Sequence, residues 1–214
     1  MKTLATLSRH ASNKLARLRL IPRLKYGLVF SLVVFFYTQT NVYAQPFSPD
    51  DKEQIRPLLL DAIKSSDSFD DRYDAEVWLL DMSTRLSKYV KDPQKRLDLL
   101  KRIHFEAKRV DIPPELVLAV IHIESLFKQF AISRVGARGY MQVMPFWLKE
   151  IGRPDDNLFD TRTNLRMGCT ILRYYLDKEK GNITHALARY NGSLHSHRYT
   201  SKVFRVLDKH WRRY

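Results

Sequence analysis

Apolar residues recur at three- and four-residue spacing through most of the chain, the mark of amphipathic helices. Ser48-Pro49-Asp50-Asp51 reads as a helix start, with a capping serine, a proline at the first helical place and acids in the first turn. Ile55, Leu58, Leu59 and Ile63 then follow at helical spacing. A second helix is expected over 73–90, with Val77, Trp78, Leu80 and Met82 among its apolar residues. Asp92-Pro93 opens a third, which carries Leu97, Leu100, Ile103 and Phe105, and Pro113-Pro114 opens a fourth. Beyond Leu158-Phe159-Asp160 a helix is expected from about 162 to 180, and Asn182 opens another. No run keeps the period-two alternation of a sheet, although a short hairpin fits between Ala131 and Gln142. There is no internal repeat, and the pattern as a whole predicts an all-α fold.

The fourth helix reads Pro114-Glu115-Leu116-Val117-Leu118-Ala119-Val120-Ile121-His122-Ile123-Glu124-Ser125-Leu126-Phe127 and is apolar almost all round, so it should be buried. Glu124 shares a face with Val120 and Ile121. Burial disfavours a carboxylate, and the negative end of the helix dipole disfavours it further, so both raise its pKa. A carboxylic acid that holds its proton near neutral pH suits general-acid cleavage of a glycosidic bond. A Glu that reaches solvent from the helix end, or pairs with a core arginine, would fit the same spacing.

Charge changes the picture at the N-terminus. Of 37 Lys+Arg in the 214 residues, seven fall within 1–44 (Lys2, Arg9, Lys14, Arg17, Arg19, Arg23 and Lys25), and none of the 23 Asp+Glu does. Half of the formal charge of +14 therefore belongs to this segment. A basic stretch, then the apolar run Leu28-Val29-Phe30-Ser31-Leu32-Val33-Val34-Phe35-Phe36-Tyr37, then Val42-Tyr43-Ala44 is the order of a secretory signal peptide, cut after Ala44. The run is well short of the roughly 20 residues that span a bilayer; an uncleaved anchor is the alternative, and is then the only membrane contact. The basic arm leads straight into apolar sequence, so nucleic acid is not an expected partner. The expectation is an exported protein, periplasmic or associated with the cell wall. An apolar fraction of 44% suits a folded chain.

Cys169 is the only cysteine, which excludes an internal disulfide framework and a cysteine-based zinc site. The seven histidines, among them His122, His185, His195 and His197, show no metal-protease spacing. Neither a metal nor a cofactor is implied. Lys209-His210-Trp211-Arg212-Arg213-Tyr214 reads as a solvated tail, or as a contact for anionic wall or membrane components.

Five ordered blocks follow one another after the third helix. They are Glu124-Ser125, Ser133-Arg134-Val135-Gly136-Ala137-Arg138-Gly139, Met141-Gln142-Val143-Met144-Pro145, Leu158-Phe159-Asp160 and Ala188-Arg189-Tyr190-Asn191-Gly192, with Tyr199 beyond them. Together they resemble the soluble lytic transglycosylase family, related to goose-type lysozyme, over about 103–206. The resemblance implies a lysozyme-like helical catalytic domain over 101–210, preceded by a helical extension over 45–100. It implies a peptidoglycan glycan strand as partner, cut between N-acetylmuramic acid and N-acetylglucosamine with formation of a 1,6-anhydro sugar. Glu124 would be both acid and base. Ser133, Gln142, Met144, Tyr190, Asn191 and Tyr199 would bind substrate, with the Tyr190 phenol orienting Glu124, the Asn191 amide holding an acetamido group and Tyr199 lining the cleft.

Simpler roles remain open for several of these: core packing for Met144 and Tyr199, a turn cap for Ser133. Asp155, Asp156 and Asp160 are the candidates for a second carboxylate, with helix capping the simpler role for Asp160. The chain departs from the family pattern at Tyr140, where leucine is commoner, and at Gly192-Ser193, where many members have Ala-Gly. Hydrolysis by water, or glycan binding without turnover, are the competing functions.

Overall fold

The structure is a computed structural model that describes residues 57, 68–69, 71–194 and 196–213. These belong to one compact unit, Val42–Tyr214. The expected signal segment (1–44) and, apart from Pro57, the expected first helix lie outside the described residues. The described elements are α1 (Arg72–Leu86), α2 (Pro93–Arg109), α3 (Pro114–Ser125), α4 (Trp147–Ile151), α5 (Thr161–Lys178), α6 (Ile183–Tyr190), α7 (Arg198–Val206) and a π-helical turn, Leu207–Trp211. Where the sequence allows a hairpin, the described residues form only isolated β-bridges, Ile132 to Arg138 and Arg138 to Val143.

Several of the helices begin where a side chain can satisfy their first amides. Asp92 accepts from the Lys95 amide at the start of α2, Asp160 from Thr163 at α5, and Asn182 from His185 at α6. The helix expected over 73–90 stops at Leu86, because the Leu86 carbonyl takes the amides of both Tyr89 and Val90 in a tight turn. α2 runs through position 100, so the expected extension and the expected catalytic part share one helix. α1 packs on α2, and both contribute to a single core.

α3 is the axis of the fold. Leu116, Val117, Leu118, Ala119, Val120, Ile121 and His122 are all buried. α2, α7 and the π turn pack around it. Chain reversal after α3 is abrupt, since Leu126 and Phe127 both take left-handed backbone, with φ of 51° and 61°. Side chains with a Cβ resist that region, and each such residue costs on the order of 1–3 kcal/mol that the surrounding packing must offset.

The C-terminal segment corrects the expectation of a solvated tail. Trp211 is fully buried, and its ring meets Phe127 at 5.4 Å between centroids. Its indole Nε1 donates to His122 Nδ1 at 3.2 Å. An indole offers large apolar area and one donor, so a buried partner for both outweighs exposure, whatever the charge of its neighbours.

Candidate active site

Glu124 sits in the last turn of α3, half-buried, with its carboxyl aimed at α7 and the end of α6. Tyr199, on α7 and itself buried, donates its phenol to Glu124 Oε1 at 2.7 Å. The Asn191 side chain, at the C-cap of α6, also hydrogen-bonds the carboxyl. No ion pair reaches Glu124 among the described residues, which removes the arginine-paired reading. Burial pushes its pKa above the usual carboxyl range, and the bonds from Tyr199 and Asn191 pull part of the way back. The Tyr199 and Tyr190 phenols are raised well above their ordinary value, first by burial and then by the nearby Glu124 charge. Both therefore stay protonated and available as donors.

The resemblance gives the orienting role to Tyr190, but the bond to the carboxyl comes from Tyr199. The Tyr190 phenol donates instead to the Met141 carbonyl at 2.7 Å, fastening the 131–145 loop to α6. Ser133 Oγ accepts from the Ala137 amide at 3.0 Å, inside the same loop. Gln142 stands in left-handed backbone, φ 50°, and its amide nitrogen donates to the carbonyls of Ala131 and Gly139. Both acceptors are carbonyls, so the nitrogen must face them, and Oε1 is what this side chain offers a ligand. Met144 is half-buried.

The three aspartates considered as a second carboxylate have other work. Asp160 caps α5. Asp156 pairs with Arg166 and accepts from the Arg153 amide at 2.7 Å; its pKa lies below the usual range because these bonds outweigh its own desolvation. Asp155 is exposed in the same loop. At the departures from the family pattern, Tyr140 bonds Thr161 and lines a hollow with Lys95, Arg102, Asp160 and Arg162 that contains neither Glu124 nor any of the candidate substrate-binding residues. Ser193 buries its hydroxyl oxygen with no partner among the described residues. Cys169 is buried beside Met141, and its thiol pKa is raised by burial, which leaves it inert. His195 lies outside the described residues, and no metal-holding cluster occurs among the described ones.

Asn164 is the residue that the sequence reading passes over. It is buried on α5 and makes three bonds to backbone: Oδ1 accepts from the Met141 amide at 2.8 Å, and Nδ2 donates to the carbonyls of Arg138 at 2.9 Å and Leu158 at 2.8 Å. One amide thus pins the loop that carries Gln142 and Met144. A Cβ on Gly139 would stand 2.2 Å from Asn164 Nδ2, and one on Gly168 would stand 2.4 Å from Met141 Sδ, so both glycines make room for this junction. The signal available in the sequence is a buried-facing amide one helical turn before Gly168, too common to single out alone. Asn164→Asp is expected to lose both donations while keeping its shape. Each orphaned carbonyl should cost about 1–3 kcal/mol, read as a lower melting temperature that recovers partly as acid pH protonates the new carboxyl.

A lone sheltered carboxyl at a helix end, under a tyrosine and beside an amide, on a lysozyme-like all-α frame, defines the class to which this molecule belongs. The family model of the transglycosylase SLT domain matches residues 101–210, just over half of the chain, and the protein belongs to that family. It is also similar to a protein of Enterobacteria phage PRD1 described as "Transglycosylase", with 34% identity over 93 residues, which is 44% of this chain and 34% of the relative. The chain thus aligns with about a third of the length of that relative.

Proposed function

We propose that the protein is a peptidoglycan lytic transglycosylase, exported to act on the cell wall. One observation carries this reading: the Glu124 carboxyl, raised in pKa by burial, has two neutral hydrogen-bond partners and no ion pair among the described residues. Burial favours the protonated form of such a group as it meets the substrate. The carboxyl gives its proton to the bridging oxygen as the bond to the anomeric carbon of N-acetylmuramic acid breaks. The resulting carboxylate is held by Tyr199 and Asn191, and then takes the proton from the C6 hydroxyl of the same sugar as that oxygen closes on the anomeric carbon. Glu124 ends protonated again, now with the proton of the C6 hydroxyl, no water is consumed, and the product is a 1,6-anhydro sugar. The occupation of Asp156 and Asp160 elsewhere supports a single carboxyl in both roles, because two-carboxylate glycosidases place the second group within about 5–9.5 Å of the first.

Mass analysis of the muropeptides released from purified sacculi tests the reading. Anhydro-muropeptides are the expected product, and reducing muramic ends would replace it with hydrolysis. Tyr199→Phe supplies a second check. Tyr199 stabilises the carboxylate, so its loss should raise the Glu124 pKa further. The protonated acid then persists to higher pH, and the alkaline limb of the pH–rate profile should move upward while the overall rate falls.

A further inference from the structure

An aromatic array lies on the far side of Met144-Pro145, outside the residues bonded to Glu124. Phe146 and Trp147 are 5.1 Å apart between ring centroids, Trp147 lies 6.4 Å from both Tyr174 and Tyr175, and those two are 5.2 Å apart. Phe146 is 53% and Tyr174 50% exposed. α4 has no fully buried residue of its own: Trp147 packs one side against the core, while Phe146, at the N-cap of this turn, and Tyr174 stay exposed without core burial to explain them. Contiguous exposed apolar surface of this kind marks a binding site more often than an accident.

The array is continuous with the candidate site. Met141 sits on Gly168, and Trp147 sits on Tyr174 and Tyr175, further along the same helix. Seven residues of helix span about 10 Å, and Met144 lies between these two anchors in the loop. The surrounding charge nearly cancels: Lys149 stands beside Glu150 and Arg173 pairs with Asp177, which leaves Lys178 over the Tyr174 ring at 5.6 Å as a surplus cation. One surplus cation gives little pull on an anionic membrane surface. Flat ring faces with a phenol and an ammonium at the edge match a neutral N-acetylated sugar, whose pyranose face is apolar and whose rim is polar.

We infer that Phe146, Trp147 and Tyr174 form a stacking platform that holds the glycan strand a few sugar rings away from the bond at Glu124. The platform rests on the proposed function for its ligand class. It makes the enzyme favour long strands, because only a long strand reaches both places.

The fluorescence of the chain tests this directly. Of its three tryptophans, Trp78 and Trp211 are buried, so the half-exposed Trp147 reports on added ligand. GlcNAc oligomers of rising length are titrated into the Glu124→Gln chain, which cannot turn them over. Trp147 emission should shift, with affinity climbing as the oligomers lengthen. Adding Phe146→Ala and Tyr174→Ala should weaken long oligomers about tenfold and leave short ones unchanged, with the melting temperature held. In the active chain the same pair should raise KM on sacculi more than it lowers kcat. Equal affinity of the pair and its parent for long oligomers would overturn the platform, as would an emission change with anionic vesicles but not with oligomers. Oligomer binding at Trp147 without any cleavage by the unsubstituted chain would overturn the enzyme reading and leave the platform standing. Cleavage with no dependence on Phe146 and Tyr174 would do the reverse.

Discussion

Glu124→Gln should bind sacculi as the parent does and clear them about 10²–10⁴-fold more slowly, the range that positioned acid–base groups contribute. The substitution is nearly isosteric, and its amide oxygen can still accept from the Tyr199 phenol, so the fold and the cleft survive. What disappears is the proton for the leaving oxygen and the base that recovers one from the C6 hydroxyl. Turbidity clearing followed at several pH values, beside a pull-down on intact sacculi, separates chemistry from binding. Equal clearing by both chains would remove Glu124 from the mechanism. Equal binding with no clearing by either would leave a glycan-binding module.

The largest stability effect is expected close by, where Trp211 packs on His122 in the same last turn of α3. Trp211→Ala deletes a fully buried indole, a change that typically costs about 3–5 kcal/mol. Against the 5–15 kcal/mol that commonly stabilise a domain, this should lower the melting temperature by on the order of 10 °C or more. The loss is greater than cavity formation alone, because His122 Nδ1 would lose its donor. His122 holds Trp211 on one nitrogen and contacts the Tyr89 phenol with the other at 3.2 Å. Acceptance at Nδ1 requires the neutral ring with its proton on Nε2. Calorimetry of the substituted chain checks the size of the effect, and an unchanged melting temperature would mean that the indole contributes nothing to the fold.

The same histidine sets a pH window. Burial, with His210 nearby, lowers its pKa from 6.5 to about 4. Between those values the unfolded chain binds a proton that the folded one refuses, so stability rises with pH through the window. Its contribution is fully present above about 6.5 and is lost as pH falls toward 4. Melting curves between pH 4 and 7 should show a slope that flattens in His122→Gln.

Legibility differed between parts of the chain for physical reasons. Helix starts at Asp92 and Asn182 were readable because capping is local, a side chain meeting amides three residues on, and the start at Pro114 because proline suits the first helical place. Burial of α3 was readable because a helix apolar on every face can only be covered. The burial of Trp211 was not, since the residue sits among Lys209, His210, Arg212 and Arg213, and its partner is His122, far back in the sequence. Asn164 escaped for a related reason: an amide in a helix carries no label that distinguishes solvent from three backbone partners in a distant loop.

By itself, the sequence determined the all-helical class, the family blocks and Glu124 as the one carboxyl at the end of an apolar helix, because periodicity, caps and motif order are written locally. Only the tertiary structure decided that Tyr199 rather than Tyr190 bonds that carboxyl, that Asn164 holds the 131–145 loop, and that the C-terminal tryptophan belongs to the core. Each of those outcomes depends on which groups, distant along the chain, are brought within hydrogen-bond reach of one another. Reach is set by how helices pack against one another, which spacing along the chain does not encode.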